Sequence, residues 1–261
     1  MRPMLNVAIR IIRLIGDIII KNYEIQTINI FNKKINISIF IEKINQNIKN
    51  IIFQNFLNIY STKIIILNKK GILIFKYKKT QWIINPLDGI INFIKKLPHF
   101  AVSIAICIKG KTEISLIYDP LKNDLFTAIR GQDAQLNGYR LRCNNYLNNK
   151  NLLFAINENF ILDNNININL IKLFIKNLIN FRISGSLSLD LAYLASNKIN
   201  CYIGNNINFD KFIAGELLIK ESGGLITDLI GNYNYKYSKN ILAGNSTIIK
   251  FVISQIQNIS K

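Results

Sequence analysis

Residues Trp82-Ile83-Ile84-Asn85-Pro86-Leu87-Asp88-Gly89 run an apolar segment into a tight turn, and this junction decides how the chain is organised. The aromatic and β-branched residues predict a strand over 81–84, which Asn-Pro and Asp-Gly then end abruptly. At such a strand end the side chains of Asn85 and Asp88 and the backbone carbonyl of Leu87 can converge on one point. Oxygen donors gathered in this way hold hard cations such as Mg²⁺. Here Asp88 brings the stretch its single negative charge.

Length and composition frame this turn. A chain of 261 residues can bury a large core, and no Pro/Gly/Ser linker divides it. One unit over 1–261 is expected, built from two closely packed halves of about 1–145 and 146–261. No apolar stretch of about 18 residues runs free of Lys, Asn or Arg, which argues against a membrane span. The first 22 residues interleave Arg2, Arg10, Arg13, Asp17 and Lys21 with Leu5, Ala8, Ile12, Ile15 and Ile19 at helical spacing. That is an amphipathic helix, not the unbroken apolar core of a signal peptide. Cys107, Cys143 and Cys201 are odd in number and lack a CxxC pattern, so they predict buried thiols in a reducing cytoplasm.

The formal charge of +18 invites a nucleic-acid partner, because dispersed Lys and Arg displace counterions from phosphates. Ile, Asn and Lys dominate throughout, however, including the 144–151 and 164–169 loops, and these residues share AT-rich codons. Compositional drift in a mutationally biased genome accounts for much of the charge. Motifs for base readout are missing, although a weak attraction to RNA is consistent with the charge.

Helical and strand periods alternate along the chain. After the first helix, 41–56 reads as a second, followed by strands at 63–67 and 81–84. Strands at 100–108, 112–118 and 125–128 form a meander, separated by Lys109-Gly110-Lys111 and Asp119-Pro120. The second half places helices at 168–178, 187–195 and 212–222, strands at 200–203, 225–227 and 241–243, and a closing helix from about Ser246. This order implies layers of helix and sheet, an α/β (α+β) architecture.

Met4-Leu5-Asn6-Val7-Ala8, residues 92–105, Tyr118-Asp119-Pro120, residues 131–141, Asp190-Leu191-Ala192-Tyr193, Ala214-Gly215-Glu216-Leu217-Leu218 and Gly244-Asn245 occur in that order around the turn. With Asn85-Pro86-Leu87-Asp88-Gly89 they resemble the inositol monophosphatase family over essentially the whole chain. The resemblance implies a layered αβαβα sandwich, usually dimeric, with a Mg²⁺-dependent site for phosphomonoester hydrolysis between the two halves. In that family, metal is held by a Glu before the motif, two Asp and a Leu carbonyl within it, and an Asp at a later helix start.

Carried over position by position, this site has lost most of its acids. The Glu position falls on Asn68, the first Asp on Asn85, and the later Asp on Lys211, leaving Asp88 and the Leu87 carbonyl. The motif Thr falls on Ile90, and the Asp and Thr that help activate water fall on Asn36 and Ile39. Four family acid positions sum to −4 in the family and to zero here, since Asp88 and Lys211 cancel. Mg²⁺ sheds its hydration shell reluctantly without anionic ligands. A lysine about 4 Å away would repel it by several kcal/mol even at an effective dielectric of about 20. Mg²⁺ binding and catalysis by this route should therefore be weak or lost. A compensating alignment shift would instead offer Asp210 as a ligand; otherwise Asp210 suits a helix N-cap.

Other residues carry alternatives. Leu87, Asp88, Gly89, Ile90, Arg182 and Lys211 fall where the family binds substrate. Arg182 either meets phosphate or anchors the Ile183-Ser184-Gly185-Ser186 turn, and Gly89 offers a backbone N–H or simply fits the turn. Glu216 and Glu221 suit structural or solvated roles. His99, the single histidine, suits a structural turn and excludes a multi-histidine metal cluster. Ser184, Ser186 and Ser188 have no histidine partner for nucleophilic chemistry. The 131–141 block, with Arg130, Arg140 and Arg142, suits either a turn between strands or a partner contact.

The resemblance also implies a role without catalysis. A bacterial branch of the family works in ribosomal RNA transcription antitermination with Nus proteins and RNA polymerase. That role requires a docking surface, and the eroded acids fit it. The alternative is residual Mg²⁺-dependent hydrolysis of inositol 1-phosphate or a related sugar phosphate.

Overall fold

The structure is a computed structural model that describes residues 2–29, 37–57, 65–69, 72–143, 151–162 and 165–259. Helices α1 (Arg2–Asn29) and α2 (Ile37–Leu57) precede strands β1 (Ile65–Lys69), β2 (Ile72–Tyr77) and β3 (Thr80–Asp88). Helix α3 (Ile90–Ile94) leads to β4 (Ala101–Ile108), β5 (Lys111–Asp119), β6 (Asp124–Ile129), β7 (Ala134–Leu136) and β8 (Tyr139–Arg140). Then follow β9 (Leu153–Ile156), α4 (Glu158–Leu162), α5 (Asn165–Lys176), β10 (Asn180–Arg182), α6 (Leu187–Ala195) and β11 (Cys201–Gly204). Helix α7 (Phe209–Glu221), β12 (Leu225–Thr227), α8 (Tyr235–Ser238), β13 (Ile241–Gly244) and α9 (Ser246–Ile259) complete the chain.

Strands β1 to β8 form one antiparallel sheet in sequence order. The second sheet, ordered β10-β9-β11-β13-β12, is mixed: β9 runs parallel to β10 and β11, and β13 antiparallel to β11 and β12. Strand β4 shows why layers form. Ala101, Ala105 and Cys107 lie in the core that contains α6 and α7, while Val102, Ile104 and Ile106 pack with α1 and α2. Successive side chains of a strand point to opposite faces, so small residues admit the inner helices and branched ones meet the outer pair. The inner core also takes Ala155, Tyr202, Ile226 and Ala243 from the second sheet, whose other face buries Phe154, Ile203 and Leu242 with α5 and α9. The succession is helix, sheet, helix, sheet, helix, the expected αβαβα sandwich.

Several elements differ from the sequence expectation. Strand β3 continues through Pro86 to Asp88 instead of stopping at 84, with its pairing to β4 shifted between Asn85 and Asp88. Proline is tolerated because the irregular register spares a ladder bond there. Helix α7 begins at Phe209, not 212, and its N-cap is Asn208, whose side chain accepts the Asp210 N–H; Asp210 sits inside the first turn. The second half adds the short β9, β10 and α8, too brief to display a period. The 131–141 block is the β7–β8 hairpin, and Asp133 takes both Arg140 at 2.8 Å and Arg142 at 3.0 Å. No helix among the described residues is long and apolar enough to cross a membrane.

Helices α6 and α7 cross at Gly215, where an added Cβ would lie 2.3 Å from Leu191 Cδ1 and 2.7 Å from its Cβ. Gly215→Val should destabilise the protein by about 1–3 kcal/mol through overpacking, measured as a lower urea midpoint with an unchanged denaturant slope.

Candidate active-site cleft

The end of β3 reaches a cleft of about 770 Å³ lined by Leu87, Asp88, Gly89 and Ile90 from the turn, Asp190 from α6 and Lys211 from α7. Gly89 holds the turn at φ +86°, and a Cβ there would lie 2.8 Å from the His99 carbonyl oxygen. Both the left-handed backbone and the close approach demand glycine.

Asp88 is buried, and one oxygen of its carboxylate is engaged within the protein. Its Oδ2 accepts Ser186 Oγ–H at 2.9 Å and the Ser188 backbone N–H at 2.7 Å. Ser186 is the N-cap of α6, so the end of β3 binds the first turn of a helix about 100 residues later. A carboxylate at that position also meets the positive end of the helix dipole. Asn92 makes a parallel link, its side-chain amide donating to His99 O and Ser184 O, each at 2.7 Å.

Asp190 is the second buried carboxyl group. Ser184 Oγ–H donates to its Oδ2 at 2.6 Å, and Arg182 Nε stands 3.8 Å from its Oδ1, an ion-pair distance too long for a hydrogen bond. Burial, with the Asp88 charge added, pushes the Asp190 carboxyl up to about 7 against the opposing pull of Ser184 and Arg182. Arg182 also reaches His99 Nε2 at 3.3 Å. Burial first, then Arg182 and Lys122, drive His99 down to about 4, so its ring is neutral at pH 7. Arg182 therefore stands between Asp190 and His99.

The expected site residues separate in three ways. Leu87, Asp88, Gly89, Ile90 and Lys211 line the cleft, whereas Asp210 and Arg182 are not among its lining residues. Asn85 is buried opposite Ser103 of β4. Asn36 lies outside the described residues; Ile39 and Asn68 fall in α2 and β1 at positions whose side chains are likewise outside them. Glu216 is buried and accepts Tyr235 Oη–H at 2.6 Å and Lys220 Nζ–H at 2.7 Å, a structural network between α7 and α8. The three cysteines are free and buried. The sequence alone gives Asp190 no role, though a lone acid in the apolar Leu187–Ala195 helix is a signal of one. Lys236 and Lys239 also line the cleft, and in so lysine-rich a chain nothing in the sequence distinguishes them.

The donor set suits a divalent cation poorly. Among the described residues no three His, Cys, Asp or Glu gather as metal ligands, and the lining cations Lys211, Lys236 and Lys239 match the lining anions Asp88, Glu158 and Asp190 in number.

The whole chain, residues 1–261, matches the inositol monophosphatase family, and the protein belongs to that family. It is 38% identical over 260 residues to Nus factor SuhB of Escherichia coli K12, covering 99% of this chain and 97% of that protein. It is 43% identical over 253 residues to Nus factor SuhB of Buchnera aphidicola subsp. Schizaphis graminum, covering 95% and 92%. The crystal structure of extragenic suppressor protein suhB from Bartonella henselae superposes with a TM-score of 0.81 at 25% identity, covering 98% of this chain and 99% of that one. The Thermotoga maritima IMPase gives 0.80 at 23%, covering 99% and 98%, a likeness of fold.

Two outcomes follow from the buried carboxyls. Asp88→Ala strands two donors and should cost on the order of 3 kcal/mol in urea unfolding, with Asp88→Asn costing less because it keeps an acceptor. Asp190, raised above its unfolded value near 4, contributes stability that is full below about 4 and lost as pH rises to about 7. His99, depressed from about 6.5, contributes stability present above about 6.5 and lost as pH falls to about 4. The two oppose each other across one window. Melting midpoints measured from pH 6.5 to 4 should fall more steeply in Asp190→Asn than in the parent, and less steeply in His99→Asn.

Proposed function

We propose that the protein is a Nus factor of the SuhB type, acting in ribosomal RNA transcription antitermination with other Nus proteins and RNA polymerase, and that its Mg²⁺-dependent phosphatase chemistry is lost or very weak. The observation that carries the role is near full-length identity of 38–43% to proteins named Nus factor SuhB. The weakened hydrolysis rests on residue types at family positions and on the partners of Asp88. Asn68, Asn85 and Lys211 replace family acids, and Asp88 has work that needs no metal: it holds the start of α6. A docking role leaves the fold under selection while releasing the ligands, and Asn68, Asn85 and Lys211 support that reading.

Further parts of the proposal are a cytoplasmic homodimer, a single unit with two closely packed halves, and a supporting contact with ribosomal RNA. Shared core packing of both sheets on α6 and α7 supports the single unit, and the charge of +18 supports attraction to RNA. The second reading is residual hydrolysis of inositol 1-phosphate, favoured by Leu87 and Asp88 still lining the cleft.

Expression in a bacterium deleted for its own SuhB should restore ribosomal RNA antitermination, measured as full-length precursor transcripts. Failure by a soluble, well-expressed protein would remove the proposal. Purified protein titrated with Mg²⁺ should release little or no phosphate from inositol 1-phosphate. Turnover abolished by the milder Asp88→Asn change would establish the second reading instead.

A further inference from the structure

Between β12 and β13 the chain reads Asn232-Tyr233-Asn234-Tyr235-Lys236-Tyr237-Ser238-Lys239, tyrosine alternating with polar and basic residues through the short helix α8. The middle ring is buried and the outer two are not. Tyr235 donates its hydroxyl to Glu216 Oε1 at 2.6 Å and meets the Phe212 ring edge-on at 6.0 Å. Tyr233 and Tyr237 are 75% and 84% exposed, and neither makes a ring contact or a side-chain hydrogen bond among the described residues. Large amphipathic rings left in water on either side of a buried anchor are surface for a partner.

The segment that presents them is held in place. Asp228 Oδ1 accepts the Ile230 N–H at 3.0 Å and the Asn232 N–H at 2.8 Å, while the Asp228 N–H donates to Asn232 O at 2.8 Å. Beyond α8, the Lys239 carbonyl accepts the Ile207 N–H at 2.9 Å. With the backbone fixed on both sides, a tyrosine has only its own short side chain to order on binding, a small entropic cost.

The charge around these rings is positive. Residues 229–240 include no Asp or Glu. Lys239 is exposed and makes no ion pair among the described residues. Lys236 Nζ lies 4.5 Å from the centre of the Phe209 ring and 3.7 Å from Glu216 Oε1, an oxygen that already takes Lys220 at 2.7 Å. One carboxylate thus faces two ammonium groups. The β7–β8 hairpin offers a contrast, because Tyr139 is 81% exposed but Arg140 and Arg142 beside it sit 2.8 and 3.0 Å from Asp133. At α8 the exposed rings coincide with a lysine that no acid neutralises.

We propose that Tyr233 and Tyr237, with Lys236 and Lys239, form a binding surface for single-stranded RNA, each ring stacking on an unpaired base and the lysines meeting backbone phosphates. Stacking accepts any base and basic side chains follow the backbone, so the surface recognises an unpaired strand without reading its sequence. Duplex RNA keeps its base faces inside the helix and offers these rings nothing to stack on. The inference rests on the RNA contact included in the antitermination reading, and gives that contact a place and a mode. Lys236 and Lys239 also line the cleft, so the tyrosines, which do not, carry the test.

Fluorescence anisotropy of a labelled oligouridylate titrated with the purified full chain provides it. The oligouridylate should bind, and a duplex RNA of equal charge should bind far more weakly. Tyr233→Ala and Tyr237→Ala should each weaken binding about tenfold, as loss of one stacked base predicts, while Tyr237→Phe keeps the ring and should bind as the parent does. Lys239→Gln should reduce the slope of log affinity against log salt by about 0.7, one phosphate contact of a single strand. Tyr139→Ala should change nothing. These positions are exposed, so unchanged urea midpoints will show each variant folded. With 4-thiouridine in the oligomer, crosslinks should map to Tyr233 or Tyr237. Equal affinity for the duplex, binding indifferent to both tyrosine changes, or a loss on Tyr139→Ala as large as theirs would overturn the proposal. So would tyrosine variants that bind RNA normally yet lose a purified Nus protein, which would assign the surface to a protein partner. Complementation by a protein that fails to bind the oligouridylate removes this inference alone, whereas failed complementation with the tyrosine-dependent binding intact removes the antitermination reading alone.

Discussion

The Asp88 carboxylate joins the end of β3 to the beginning of α6, and much of the centre depends on that joint. Its oxygen accepts both the N-cap hydroxyl of Ser186 and the Ser188 N–H. Helix α6 is almost wholly buried between the two sheets, so its first N–H groups cannot turn to water. An anion from the first sheet satisfies them and fixes where the helix starts. Asn92 repeats the link a few ångströms away through two carbonyls, and Gly89 supplies the turn that brings both residues to the place. These contacts join elements about 100 residues apart in the chain at the edge of the cleft.

That arrangement gives Asp88 a structural duty, because removing it leaves buried donors unpaired. Asp190 is held in the same way by Ser184 and Arg182. Carboxylates that survive in a cleft of this kind are evidence of a folding constraint before they are evidence of catalysis.

The sequence rendered the regular parts well and the short parts poorly. The α6 limits were legible at 187–195 because serines precede an apolar helix and Ser-Asn follows it, and the meander from β4 to β6 showed through alternation and its turns. Strand β3 ran past its apparent stop because an irregular register accommodates Pro86, a tertiary circumstance. The cap of α7 went to Asn208, since Asn and Asp cap comparably and only backbone direction selects between neighbours. Lys211 was legible as a cleft residue through family position, whereas Lys236 and Lys239 were hidden in a lysine-rich background.

By itself the sequence determined the family and the layered α/β architecture, because periodicity and turn residues are written locally. The tertiary structure decided what the remaining groups are for. It made Asp88 the anchor of a helix, set Arg182 beside Asp190 and His99, and placed three lysines around one cleft. Those roles arise between residues far apart in the chain, where burial and hydrogen-bond partners are fixed only when both sheets close on the helices between them.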